Sequence, residues 1–297
     1  MTTVQFDRDE LALVGNLFTP PGFDEGEQYD GVIVQGSFTS VKEQMPRTYA
    51  EKFAAQGFVV LAFDYAHYGE SAGEPRQLES PVEKLGDLLA AVAYLDDLPF
   101  VRAVGMVGIC TSAGNAVTLA ATDPRLGAFA TVAAFLPSPA LNASVFGEEG
   151  LTQRMEQSAN ARRKYDETGE VELIPAYSET DPSAVNYRPT NGAYDYYLNK
   201  SRGNVAQYTN ASAVMGLAEF LRFDPVTQAP SIEVPTMVVH SDGSSFPEEA
   251  KRLYESVAGE KELVWGDGSH FDYYDSPTQV EFAVQHVARF FKLHLST

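Results

Sequence analysis

The only cysteine of the chain, Cys110, lies among small residues of the kind that surround a reactive thiol. An apolar run, residues 103–109, leads up to it, with Gly108 two residues before it and Ser112 two residues after it. A nucleophile on a sharp turn between a strand and a helix needs small residues at these two positions. The N-terminus of the following helix would also favour a thiolate. The pattern therefore predicts that Cys110 is a nucleophile, although a free cysteine alone is usually a buried apolar residue.

A second register of the same segment would make Ser112 the nucleophile, because Cys110 and Gly114 flank it at the same spacing. The strand is expected to end at Ile109, which places the turn at Cys110. Glycine also suits the crowded position before the nucleophile better than cysteine does. We therefore favour Cys110 and keep Ser112 as the alternative.

A thiol nucleophile needs a base, and the base needs an acid that orients it. Of the five histidines, His270 lies in a loop after the last predicted strand, at the edge where α/β sheets carry their functional loops. Asp242 follows the preceding strand and is the candidate orienting acid. Asp267 and Asp272 are nearer to His270 in sequence, but turn capping explains them equally well.

Two backbone N–H groups would have to hold the oxyanion that forms during attack on a carbonyl group. One is the N–H of Thr111, directly after the nucleophile. The other should come from the loop after the strand at residues 31–35, with Phe38 as first choice and Ser37 as second.

Metal chemistry is a weaker interpretation of the same residues. His240, Asp242, His270 and Asp272 could be drawn as a metal site, but their spacing matches no metal-binding motif, and a single cysteine excludes a cysteine-based zinc site. We expect neither a metal nor a cofactor.

Alternating apolar runs and helical patterns predict a parallel α/β sheet. Residues 138–230 lose this alternation and are rich in Tyr, Asn, Ser, Arg and Glu, so we expect a mostly helical cap inserted between core segments 1–137 and 231–297. Aromatic residues of the cap could bind substrate, although packing within the cap accounts for any single one better. They are Tyr194, Tyr197 and Phe220, with Tyr196 and Phe223 as further candidates. Strands are expected at residues 4–6, 11–18, 31–35, 58–63, 103–109, 127–135, 236–240 and 262–265.

The composition restricts the partners. The 297 residues include 41 acidic and 21 basic side chains, a net charge of −20. Such a surface repels phosphate backbones and anionic lipids, which argues against nucleic acid and membrane surfaces as partners. The N-terminal segment lacks the basic and apolar stretches of a secretion signal. We expect a cytoplasmic protein with a small-molecule acyl substrate, and a homodimer is compatible with the sequence.

Five segments together resemble one branch of the α/β-hydrolase superfamily. That branch contains bacterial hydrolases of uncertain substrate and fungal polyketide-transferase-like proteins, and it is more loosely similar to dienelactone hydrolases, which have a cysteine nucleophile. The resemblance implies an eight-stranded, mostly parallel sheet, a cap after the sixth strand, and a triad of Cys110, His270 and Asp242. The segments are residues 36–46 (GSFTSVKEQMP), 63–76 (FDYAHYGESAGEPR), 108–114 (GICTSAG), 193–198 (AYDYYL) and 267–275 (DGSHFDYYD).

The function expected from these residues is that of a cofactor-free hydrolase. Cys110 would attack an ester, lactone or thioester to form an acyl-enzyme, with His270 as base and Asp242 as orienting acid. Two alternatives stay open. The same residues could transfer the acyl or polyketide group to an acceptor other than water, or the fold could bind a ligand with a catalytically silent site.

Overall fold

The computed structural model describes residues 1–295, and an eight-stranded sheet lies at its centre. The strands run in the order β1-β2-β4-β3-β5-β6-β7-β8. β2 is antiparallel to both β1 and β4, and all other neighbours are parallel, so the predicted, mostly parallel sheet is confirmed. The strands are β1 (Thr2–Arg8), β2 (Leu11–Phe18), β3 (Tyr29–Gln35), β4 (Val59–Phe63), β5 (Val101–Ile109), β6 (Leu126–Val132), β7 (Thr236–Gly243) and β8 (Lys261–Ser269).

Helices cover both faces of this sheet. Among residues 1–295 they are α1 (Met45–Ala55), α2 (Pro81–Asp96), α3 (Ser112–Thr122), α4 (Pro139–Thr168), α5 (Asp195–Leu198), α6 (Leu217–Arg222), α7 (Pro247–Ser256), α8 (Asp272–Asp275) and α9 (Pro277–His294). One face carries α1 and α9, and the other carries α2, α3 and α7. Helix α2 begins with a side-chain cap, because the Ser80 hydroxyl accepts a hydrogen bond from the Glu83 N–H at 3.1 Å.

The apolar core forms two layers because the side chains of each strand alternate between the faces. In β3, Val32 and Val34 join the layer beneath α1 and α9, whereas Ile33 joins the opposite layer. All three are fully buried. This two-sided burial explains why the strand is almost continuously apolar, as is usual for a parallel sheet.

The inserted cap lies between β6 and β7. Its main element is the long helix α4, which bends at Gly147, where the backbone has φ 70° and ψ 161°. Pairs of two-residue strands follow, Leu173–Ile174 with Ser212–Ala213 and Tyr177–Ser178 with Asn186–Tyr187. The cap is therefore only partly helical, since its Asn- and Tyr-rich middle folds into short ladders and turns. The expected segment limits at residues 137 and 230 stay a prediction.

No helix within residues 1–295 has both the length and the apolar character needed to cross a lipid bilayer.

Candidate active site

Cys110 occupies a strained turn between β5 and α3. Its φ is 57°, a left-handed conformation that is uncommon for a side-chain-bearing residue. The turn is fixed on both sides, because Cys110 N–H donates to the Val132 carbonyl and Cys110 C=O accepts from Ala113 N–H, each at 3.1 Å. A Cβ on Gly108 would lie 2.3 Å from the Ser112 carbonyl oxygen. The structure thus contains the turn that the small residues around Cys110 predict.

Ser112, the alternative nucleophile, lies on the other side of this turn. It begins α3, is completely buried, and its Oγ lies 3.2 Å from the Tyr65 hydroxyl. Cys110, by contrast, lines the cavity beneath the cap, and Ser112 does not. A substrate in this cavity would therefore meet the thiol and not the Ser112 hydroxyl.

The two amides predicted for an oxyanion hole both act on the thiol of Cys110. Hydrogen bonding from the Thr111 and Phe38 N–H groups lowers the pKa of the thiol and so opposes the effect of burial. Phe38 belongs to the loop after β3, residues 36–39. Because β3 is the neighbour of β5 in the sheet, this loop places the second amide beside Cys110. Ser37, the second choice, instead accepts a 2.6 Å hydrogen bond from Tyr197 through its side chain. The structure therefore brings Phe38 and Thr111 together with Cys110.

A buried ion cluster anchors the 36–39 loop from its C-terminal side. Lys42 Nζ lies 2.8 Å from Asp64, 2.8 Å from Glu43 and 2.5 Å from Glu70, and the Lys42 amide donates to Asp64 at 2.8 Å. The ammonium group is almost completely buried. Because removal of Lys42 would leave the buried Asp64 carboxylate without its ammonium partner, these contacts tie the loops after β3 and β4 together.

His270 follows β8 and is buried at the floor of the same cavity. Its Nε2 lies 3.0 Å from the Tyr274 hydroxyl, and its Nδ1 accepts a hydrogen bond from Ser245 N–H at 3.3 Å. The Tyr274 hydroxyl also interacts with the Cys110 thiol and lowers its pKa. The Tyr274 hydroxyl thus lies between the predicted nucleophile and the predicted base.

Tyr274 is the neighbour of His270 that sequence reasoning missed. It stands four residues after His270, and the short helix α8 returns its side chain to the histidine. Residues four apart on a helical turn are neighbours, so this spacing was the available signal.

The structure does not bring Asp242 to His270. The Asp242 side chain is exposed, and its Oδ1 accepts a 3.1 Å hydrogen bond from the indole N–H of Trp265. The Ser245 amide occupies Nδ1 of His270, where an orienting carboxylate would bind. In the described part of the chain, no carboxylate is hydrogen-bonded to His270. The orienting role of Asp242 therefore stays a prediction.

Burial decides the charge state of both reactive groups. It raises the pKa of the Cys110 thiol to about 11, and the hydrogen bonds from Tyr274, Thr111 and Phe38 only partly oppose this. Burial also lowers the pKa of His270 to about 3, with the nearby His240 acting in the same direction. At neutral pH the site holds a thiol and a neutral imidazole. The expectation that the helix N-terminus favours a thiolate stays a prediction, and desolvation of the anion acts against it.

The cavity has a volume of about 500 Å³ and lies between the cap and the carboxyl ends of the strands. All three preferred cap residues, Tyr194, Tyr197 and Phe220, line it. Tyr196 and Phe223 do not, so they are not brought to the site. The walls are otherwise mainly apolar and aromatic, which is typical of a small-molecule site.

Metal binding finds no support in the geometry. Across residues 1–295, no three His, Cys, Asp or Glu side chains are close enough to share a metal ion. His240, Asp242, His270 and Asp272 therefore do not form the metal site that their order in the sequence allowed.

The sequence matches the model of the Alpha/beta hydrolase family over residues 32–283. The chain belongs to this family. The match includes the turn at Cys110, the loops at Phe38 and His270, and the whole cap. Membership agrees with the strand order and with a site at the carboxyl edge of the sheet.

Bacterial and fungal proteins resemble the chain over most of its length. The uncharacterized protein YcjY of Escherichia coli is 30% identical, with 95% of this chain and 94% of that protein covered. The crystal structure of the hypothetical protein PA2218 from Pseudomonas aeruginosa superposes with a TM-score of 0.86 at 28% identity, covering 99% and 93%. The thiohydrolase aneE of Aspergillus aculeatus is 25% identical, covering 86% and 81%, and the polyketide transferase claH of Penicillium crustosum is 26% identical, covering 89% and 88%.

Proposed function

We propose that the protein is a cofactor-free hydrolase that cleaves an ester, lactone or thioester through an acyl-enzyme on Cys110. One observation carries this proposal. The Cys110 sulfur lies on the strained turn, at the floor of the cavity, with the Thr111 and Phe38 N–H groups directed at it. An acyl group on this sulfur would have its carbonyl oxygen close to the same two donors, as acyl transfer requires.

In the proposed acylation, a bond forms between Sγ and the carbonyl carbon, and the carbonyl electrons move to the oxygen held by the two amides. The thiol proton passes to His270 by way of the Tyr274 hydroxyl, which contacts both groups. The protonated His270 then returns this proton to the leaving group as its bond to carbon breaks. Water adds to the thioester by the same route and releases the acid. The neutral charge states fit this sequence, because proton transfer accompanies attack.

The base can accept a proton at Nε2 only when its own neutral proton lies on Nδ1. In the structure the Ser245 amide donates to Nδ1, which favours the opposite tautomer. An acceptor must therefore replace this amide during turnover. We propose Asp242 for this role, because it lies three residues before Ser245, near the end of β7. A drop in kcat of about 10²-fold or more in Asp242→Asn, with acylation of Cys110 slowed in parallel, would support it.

The missing contact between Asp242 and His270 also favours a second candidate, a ligand-binding protein with a silent site. Chemical reactivity separates the two. A catalytic site forms an acyl adduct when it is given an activated ester, whereas a silent site binds the same compound without covalent change.

The test is a panel of acyl esters and thioesters, with intact-protein mass spectrometry to detect the adduct. We expect an acyl adduct in the wild type, none in Cys110→Ala, and an adduct in Ser112→Ala, whose hydroxyl lies outside the cavity. An adduct that persists in Cys110→Ala would assign the nucleophile elsewhere. No adduct with any member of the panel, together with tight binding, would assign the silent-site function.

Transfer to an acceptor other than water is the remaining alternative, and the name of the polyketide transferase relative supports considering it. Competition decides between the two. When an alcohol or amine is added to the reaction, a hydrolase gives mainly free acid, and a transferase gives mainly the coupled product.

A further inference from the structure

The cavity beneath the cap has an unusual charge pattern for so acidic a protein. The chain carries a net charge of −20, yet no Asp or Glu side chain is among the cavity-lining residues that the structure describes. Among these same residues Arg188 is the only one with a formal charge at neutral pH, since Cys110 and His270 are neutral there. The wall is therefore apolar with a single cation.

Arg188 is held in place by its backbone, and its side chain is left without a partner. Its N–H donates to the Ser178 carbonyl at 3.1 Å, and its own carbonyl accepts from Thr190 N–H at 2.8 Å. Its exposed guanidinium makes no hydrogen bond or ion pair with any of residues 1–295. Another cap arginine, Arg202, is paired with carboxylates. It contacts both Asp195 and Asp275.

The carboxylate most available to Arg188 is already engaged. Burial raises the pKa of Tyr194, Arg188 lowers it and Glu179 raises it, so both charged side chains act on this phenol, although Glu179 does not itself line the cavity. The two oxygens of Glu179 accept the Gly192 and Tyr194 N–H groups at 3.0 and 2.9 Å. The guanidinium is thus left with its hydrogen-bond donors directed to no protein carboxylate.

We propose that Arg188 binds an anionic group on the acyl substrate, so that the preferred substrates are esters or thioesters carrying a carboxylate or phosphate. This inference rests on the proposed function. The planar guanidinium matches a carboxylate or phosphate with two parallel hydrogen bonds. The anion can belong to the acyl chain itself, as in a half-ester of a dicarboxylic acid. Alternatively, it can be a phosphate on the thiol leaving group of a thioester. An apolar cavity free of carboxylates accepts either one without repulsion.

Two matched substrate pairs separate these sources. The first is a p-nitrophenyl half-ester of a dicarboxylic acid and the same compound with its free carboxylate methylated. The second is an acyl-phosphopantetheine and the corresponding acyl-pantetheine, which differ only in the phosphate. For at least one pair we expect wild-type kcat/KM to favour the anionic member about fivefold at low salt, as an exposed ion pair allows. Added salt should reduce this ratio.

The variants are Arg188→Gln and, as a matched control, Arg162→Gln. Arg162 is also an exposed cap arginine, but it does not line the cavity. We expect the ratio to fall towards one in Arg188→Gln and to keep its wild-type value in Arg162→Gln. A ratio that is equal to one in the wild type, that survives in Arg188→Gln, or that falls equally in both variants overturns the inference. If the uncharged substrates still acylate Cys110, the proposed hydrolase function stands without the inference about Arg188. If no substrate acylates Cys110, the proposed function and the inference are both overturned.

Discussion

The Tyr274 hydroxyl lies 3.0 Å from Nε2 of His270 and interacts with the Cys110 thiol, the two groups that would exchange a proton. It is also 3.3 Å from the Tyr197 hydroxyl of the cap. Its own pKa is raised well above the usual range by burial, so it is a neutral hydroxyl that can donate one proton while it accepts another. This is the property that a relay between thiol and imidazole needs.

Tyr274→Phe should lower kcat by about 10²-fold, because it removes the hydroxyl that joins the thiol to the base. The measurement is single-turnover acylation of Cys110, which isolates the proton-transfer step. Tyr273→Phe is the matched control, since the Tyr273 hydroxyl donates to the Asp267 carbonyl at 3.2 Å and not to the site. Equal effects of the two variants would show that Tyr274 acts only through packing.

The charge states predict a second result at this scale. Because burial raises the pKa of Cys110 to about 11, the rate of alkylation by iodoacetamide should climb about tenfold per pH unit from pH 6 to 9. The urea-unfolded protein is the control, since its exposed thiol should titrate near the ordinary value of 9.0. Cys110 is the only cysteine, so the label is unambiguous. A plateau below pH 7 would instead indicate a thiolate paired with protonated His270.

At the scale of elements, the turn from β5 to α3 depends on close contact between its two sides. A Cβ at Gly108 would meet backbone atoms of Ser112 at 2.3 and 2.6 Å, and a backbone cannot rotate away as a flexible side chain can. The left-handed backbone of Cys110 and the close approach of β5 to α3 are therefore parts of one local structure.

Gly108→Ala should destabilise the protein by about 1–3 kcal/mol and abolish acylation of Cys110, because the strand and helix must separate. Urea unfolding and the adduct assay measure the two effects. Gly150→Ala is the control, since its added Cβ would lie 3.6 Å from Phe146 within helix α4. That variant should gain about 0.5–1 kcal/mol from helix propensity. Unchanged acylation in Gly108→Ala would contradict the packing argument.

The sequence predicts this element well because its constraints are local. Apolar strand residues, Gly108 and the small helix residues are all within a few positions of Cys110. The contacts of His270 are different, since they depend on the loop after β7. There Phe246 adopts φ 49° and Ser245 turns its amide towards the ring, and no sequence period encodes such a turn. This is why the histidine was predictable and its partners Ser245 and Tyr274 were not.

Over the whole molecule, acid stability depends on buried histidines as well as on the large negative charge. His240 is completely buried beside Trp265, and both of its ring nitrogens lack hydrogen-bond partners. Burial lowers its pKa from 6.5 to about 4. Because the pKa of His240 is lower in the folded than in the unfolded protein, its contribution to stability is fully present above the unfolded pKa of 6.5. This contribution is lost as the pH falls from 6.5 through 4.

His240→Phe should therefore flatten the acid side of the stability profile. Between pH 6.5 and 4.5 the wild type should lose about 2 to 3 kcal/mol more unfolding free energy than the variant does. Denaturant unfolding at several pH values measures this difference. Protonation of carboxylates remote from His240 is common to both proteins and cancels. Parallel profiles would show that His240 does not titrate on unfolding.

Three cap tyrosines reach down to successive residues of the 36–39 loop. The Tyr197 hydroxyl contacts the Ser37 side chain at 2.6 Å, and Tyr177 donates to the Phe38 carbonyl at 3.3 Å. The Tyr208 hydroxyl lies 3.4 Å from Thr39 Oγ1. A chimera that grafts another family member's cap onto this core would thus also reshape the amide that faces Cys110. Substrate range and rate constant would therefore change together. To change the substrate range alone, the grafted cap must keep the three tyrosine hydroxyl contacts to residues 36–39.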